Sequence, residues 1–151
     1  MRHQASSIAT ALVVFAVAAL HLASSGTVAA QTVTRRVSAP GAVLYFHYPI
    51  DGIRVPERFT VRVGLKEMGV APAGVDKPLT GHHHLLIDTE LVSLDQPIPS
   101  DYNHIHLGNG QTETVLTLSP GTHTLQLVLG DHEHYPHQPP VMSKKITIYV
   151  R

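Results

Sequence analysis

The chain of 151 residues contains no cysteine and no tryptophan. Without cysteine there are no disulfides, no thiolate nucleophile and no thiolate metal site, so stability must come from a packed core or a bound ion. Charge of one sign is also lacking: Lys and Arg number 11, Asp and Glu number 11, and the basic residues are scattered singly. That excludes a nucleic-acid stripe, and equally a basic face for a membrane surface. Methionine is scarce, and Met68 and Met142 stand far apart, so no methionine-rich tract for Cu(I) exists. No Ser nucleophile elbow, no His-Glu-x-x-His helix and no paired carboxylates are found. An enzyme therefore has little to work with here, beyond a metalloenzyme with an open coordination position.

What is abundant is histidine, 12 residues of it. Three stand in a row in Gly81-His82-His83-His84-Leu85-Leu86-Ile87-Asp88, a run that continues into apolar sequence and so belongs to a folded strand. Two further pairs repeat the alternate spacing, His104-Ile105-His106 and His132-Glu133-His134. Imidazole is the commonest protein ligand for transition metals and titrates near neutrality.

Residues 1–30 have the pattern of an export signal. Arg2 and His3 supply positive charge, Ile8 to Leu20 forms an apolar stretch too short to span a bilayer comfortably, and Val28-Ala29-Ala30 offers a cleavage site. Cleavage after Ala30 is expected to release a protein to the periplasm or exterior, with no membrane insertion afterwards. Residues 31–41 read as a flexible leader. Residues 42–151 suffice for one domain that buries roughly two-thirds of its unfolded surface.

Within that domain the hydrophobic pattern has period two, with turn residues between runs. Strands are expected at Ala42 to Tyr48, Phe59 to Leu65, His83 to Ile87, His104 to Leu107 and Thr114 to Leu118, then around Leu125, Leu127 and Leu129, and at Ile146 to Val150. Six to seven short strands without a helix predict an antiparallel, immunoglobulin-like β-sandwich. Leu125, Leu127 and Leu129 are expected to ladder against Ile146, Ile148 and Val150, facing Val61 and Val63. The long segments Glu67 to Gly81 and Leu91 to Asn103 are expected to carry function or wrap an edge.

On a strand, residues i and i+2 share a face about 6.6 Å apart, so His-x-His is half of a metal site. Two such halves complete it, with each nitrogen about 2.0–2.1 Å from the ion. The candidate ligands are His82, His84, His104 and His106, with His132 and His134 as replacements for either pair. Gly81 is expected to leave His82 and His84 at the open end of their strand. Asp88, Asp101, Asp131 and Glu133 are candidate oxygen ligands or acceptors for imidazole N–H. The other histidines have plainer roles. His123, in phase with Leu125, reads as a structural corner residue in the place where a Tyr often stands in such modules. His47 reads as packing between aromatics and His83 as a core histidine bonded to backbone. His137 reads equally as a ligand or a solvated side chain.

The blocks Gly69 to Gly74, Gly81 to Asp88, Gly110 to Glu113 and Gly121 to Leu127 resemble a family of small exported bacterial proteins catalogued as a domain of unknown function. The resemblance runs from about Pro49 to Val150. It implies export and a β-rich single domain, and it transfers no functional residues. The functional expectation is a divalent transition metal, Cu or Zn, held for capture, buffering or delivery, with another periplasmic protein as a partner. The alternative is a metal-free immunoglobulin-like interaction module whose histidines bond a polar loop network.

Overall fold

A computed structural model describes residues 34–151. The export-signal reading of residues 1–30 lies outside the described residues.

Among the described residues, nine strands form two sheets. They are β1 (Val43–Tyr48), β2 (Arg54–Val55), β3 (Arg58–Lys66), β4 (Gly69–Val70), β5 (Thr80–Ile87), β6 (His104–Leu107), β7 (Glu113–Thr117), β8 (Gly121–Gly130) and β9 (Ile146–Val150). The smaller sheet has the order β1-β3-β7 and the larger β2-β9-β8-β5-β4, with β6 also paired to β5. The protein is all-β, a two-sheet sandwich in which most pairings are antiparallel. Two short pairings are parallel, β2 with β9 and β4 with β5. Both involve two-residue strands, too short to leave a periodic trace in the sequence.

Alternation explains β3. Phe59, Val61 and Val63 point inward while Arg58 and Arg62 point to solvent. The inward set packs against Leu85, Ile87, Leu125, Leu127, Leu129 and Ile148 of the larger sheet to make the main core. In β5 the alternation is hidden, because every residue from Gly81 to Ile87 is buried. Its odd-numbered side chains enter the main core. On the opposite face Leu86 joins Val128 and Ile98, with Leu91 and Met142 beside them, in a second apolar cluster. The long segment Leu91 to Asn103 thus covers a sheet face through Ile98, where the sequence suggested function or an edge.

One expectation is corrected. The β8–β9 ladder exists, but its register pairs Leu125 with Ile146 and His123 with Ile148. Leu127 and Leu129 run past the end of β9; Leu129 N–H donates to Val141 O at 3.0 Å and Ser143 N–H to Leu127 O at 3.0 Å. The stretch before the domain is tied down at Arg36 to Ser38. Ser38 N–H donates to Gln138 O at 3.1 Å, Ser38 Oγ to Pro139 O at 2.9 Å, and Arg36 bonds Asp76 at 2.6 Å.

Candidate metal centre

The even-numbered face of β5 carries His82 and His84, separated by one residue as the strand pleat requires. Strand β6 runs antiparallel beside it and sets His106 directly across from His84. Cross-strand neighbours on one face lie close enough for their side chains to meet. The ligand atoms of His82, His84 and His106 all fall within 4.8 Å of one another. Nε2 of His82 and Nε2 of His84 are 3.0 Å apart.

A fourth ring closes in from elsewhere. His134 lies 4.8 Å from His106, 5.0 Å from His82 and 5.8 Å from His84 between ring centroids. It comes from a tight turn. Asp131 Oδ1 accepts the N–H groups of Glu133 and Tyr135, both at 2.9 Å, and His134 N–H donates to Asp131 O at 3.0 Å. His134 itself has a left-handed backbone, φ +73°, a conformation uncommon outside glycine and concentrated at functional sites.

Room for these rings comes from two glycines. A Cβ on Gly130 would lie 2.8 Å from His84 Nε2, and one on Gly108 only 2.1 Å from His106 Cε1. In the sequence Gly108 reads only as the bound of the His104 to Leu107 strand and Gly130 as a strand end, because a glycine there usually signals only a turn.

Burial sets the electrostatics. His82 and His84 are fully buried, whereas His106 and His134 are half-buried. Loss of water, reinforced by the charges that His106, His134, His83 and His137 would carry, pushes His82 down to about 3. Burial again leads for His84, joined by His82, His106, His134 and His104, and takes it down to about 2. Burial and then His134 lower His106. His82, His84 and His106 are thus held toward the neutral form, which is the form that binds a metal. Nδ1 of His82, Nδ1 of His84 and Nε2 of His106 are buried without a hydrogen-bond partner. Buried polar atoms left so cost about 1–3 kcal/mol each.

The other candidate residues lie elsewhere. His104 shares the face of His106 but stands opposite Leu86. Its Nδ1–H donates to Asp101 Oδ1 at 2.8 Å, the kind of acceptor expected of that carboxylate, and this bond leads the lowering of the Asp101 pKa. His132 points away, its Nε2 3.9 Å from Asp76 and 4.0 Å from Glu133. The pairing of His132 with His134 assumed a strand; residues 131–135 form a turn, so the two rings diverge. The open-end placement of His82 and His84 also gives way, since their face is covered.

The plainer histidines behave as their positions suggest. His83 enters the core and its Nδ1–H donates to Gln111 O at 3.2 Å. His123 donates from Nδ1 to Asp88 at 2.6 Å and from Nε2 to Ser119 O at 2.9 Å, a corner fastening. His47 is exposed, edge-on to Tyr45 at 4.8 Å. His137 is neither solvated nor in the cluster: buried, it sets its two ring nitrogens 3.3 Å from Leu129 O and 3.2 Å from Thr80 O.

Fold and site together define a small all-β protein with a buried histidine cluster on the outer face of its larger sheet. Residues 61–151 match the family described as a domain of unknown function (DUF4399), and the chain belongs to that family. No curated protein matches it. Among solved structures it is similar to an endo-beta-1,4-mannanase from Thermotoga petrophila, at 17% identity and a TM-score of 0.43, over 74% of this chain and 20% of that one. Among the described residues no helix is long and apolar enough to cross a membrane.

Proposed function

We propose that this protein binds a divalent transition-metal ion, Cu or Zn, through His82, His84 and His106, and serves in capture, buffering or delivery of that ion outside the cytoplasm. One observation carries the reading: three imidazole ligand atoms lie within 4.8 Å of one another, two of them on fully buried rings. An ion would draw neutral nitrogens together and relieve the buried atoms that lack partners. The setting outside the cytoplasm rests on residues 1–30 alone, and a periplasmic protein that takes the ion on is a natural partner for delivery.

Calorimetric titration of Zn(II) and Cu(II) into the untagged protein tests this. The wild type binds one ion at micromolar concentration or tighter, and the H82A/H84A double variant loses it. Equal affinity in the two proteins would sink the reading.

The metal-free interaction module has one observation in its favour. The 3.0 Å approach of His82 and His84 is also what a donor and an acceptor nitrogen of neutral rings would make. It leaves the remaining cluster nitrogens without partners, so the metal accounts for more of the site.

A further inference from the structure

Four rings surround one point, and their spacing carries information about the ion. The centroid separations are 4.8 Å for His82–His84, 4.9 Å for His82–His106 and 5.0 Å for His84–His106. Those to His134 are 5.0, 5.8 and 4.8 Å from His82, His84 and His106. Four points in a square would have two diagonals about 1.4 times the sides, whereas a tetrahedron has six equal edges. Here the longest separation, 5.8 Å, exceeds the shortest, 4.8 Å, by a factor of only about 1.2. An ion about 2.0–2.1 Å from each nitrogen, with each ring centre roughly 1.1 Å beyond, predicts edges of about 5.2 Å. The observed values straddle it.

We infer that His134 is the fourth ligand of a tetrahedral, all-imidazole and coordinatively closed centre whose fitting occupant is Zn(II). The inference rests on the metal-binding reading above and goes beyond its three ligands. Zn(II) has no geometric preference from d-electrons and accepts a tetrahedron, whereas Cu(II) favours tetragonal sets. Four protein nitrogens leave no position for a reactive water, so the centre holds an ion and does not hydrolyse a substrate.

The carriers of the four rings differ. His82, His84 and His106 ride on hydrogen-bonded strands, while His134 rides on the turn that Asp131 organises. Its ligand atom stands outside the tight group of three, although its ring occupies the fourth corner. His106 and His134 are half-buried where His82 and His84 are sealed, so an ion arrives and leaves on the side of those two rings. Strands supply the fixed base, and the turn supplies the closing arm.

Cobalt(II) reports coordination number directly, because four-coordinate Co(II) absorbs intensely in the visible and six-coordinate Co(II) only weakly. Untagged wild type titrated with Co(II) is expected to take up one ion with the intense spectrum and to lose it on addition of one equivalent of Zn(II). The H134A variant binds about a hundredfold more weakly, at least the upper end of what losing a mere supporting contact costs. The H134C variant gains a near-ultraviolet thiolate-to-cobalt charge-transfer band, which answers the question even if H134A folds poorly. H132A leaves affinity and spectrum unchanged. Stoichiometric binding with the weak six-coordinate spectrum, or H134C without the new band, overturns the fourth ligand while three-histidine binding stands. Failure of wild type to bind Co(II) or Zn(II) at all overturns both.

Discussion

A methyl group on Gly130 would stand 2.8 Å from Nε2 of His84 and 3.4 Å from Ile98 Cδ1. The clash is with the sealed His84 ring, which cannot give way cheaply, while Ile98 stands at ordinary contact distance and closes the space behind it. Gly130→Ala is expected to lower both thermal stability and Zn(II) affinity. Gly108→Ala differs, because its Cβ would meet only the end of the half-buried His106 ring at 2.1 Å. There the ring swings out, the fold survives, and affinity falls by about 10–100-fold, the range seen when a ligand's orientation is lost. Parallel thermal melts and calorimetry separate the two variants. An unaltered affinity in Gly108→Ala would contradict the role given to His106.

The cluster also makes the metal-free protein acid-sensitive. His82 and His84 are held at about 3 and about 2 in the folded state, against an ordinary 6.5 in the unfolded chain. Below pH 6.5 the unfolded state takes up protons that the folded state refuses, so stability is complete above 6.5 and declines as pH falls toward 3. Each such proton steepens the decline by about 1.4 kcal/mol per pH unit. Urea denaturation at pH 7, 6 and 5 measures it; a flat profile would mean that the rings are hydrated.

His123 has the opposite sign. Burial pulls its pKa down, but the Asp88 hydrogen bond, the Ser119 carbonyl and the Asp88 charge together outweigh it and raise the pKa above 6.5. Its stabilisation is therefore fully present below pH 6.5 and is lost as pH rises through the folded value. NMR titration of the imidazole should show a midpoint above 6.5 that drops in Asp88→Asn. A midpoint unmoved by that substitution would remove Asp88 as the cause.

Leu127 is fully buried at the junction of β8 with β5 and the main core. Leu127→Ala is expected to destabilise the protein by about 2–5 kcal/mol, read by chemical denaturation. A loss below 1 kcal/mol would mean that the core collapses around the missing side chain.

Most of the strands are legible in the sequence because one buried face imposes alternation, as at Phe59, Val61 and Val63. Three ligand candidates are legible for the same reason, since a His-x-His spacing shares a face wherever a strand exists. Legibility fails where strand periodicity stops applying. His132 and His134 look alike in the sequence, yet a left-handed residue in the Asp131 turn sends one inward and the other toward Asp76. The β8–β9 register is equally hidden: Leu125, Leu127 and Leu129 are interchangeable as hydrophobes, and only the length of β9 decides which of them it meets. The second apolar cluster depends on Ile98 from a segment with no regular pattern.

The triplet in β5 has the ambiguity of a zip with identical teeth. A slip of one residue exchanges the two faces of a strand, so it would swing His83 outward and turn His82 and His84 into the core, with histidines on both faces before and after. The triplet cannot report the error; its neighbours must. Leu85 and Ile87 would be torn from the main core, and Gly81, whose absent Cβ would lie 2.5 Å from the carbonyl of Gly130, would be replaced in that narrow seat by a residue too large for it. Correct meshing of the histidines is therefore enforced by the residues at the two ends of the run, and errors in assembling this strand should arise from substitutions at Gly81 or Leu85 sooner than from changes to the rings themselves.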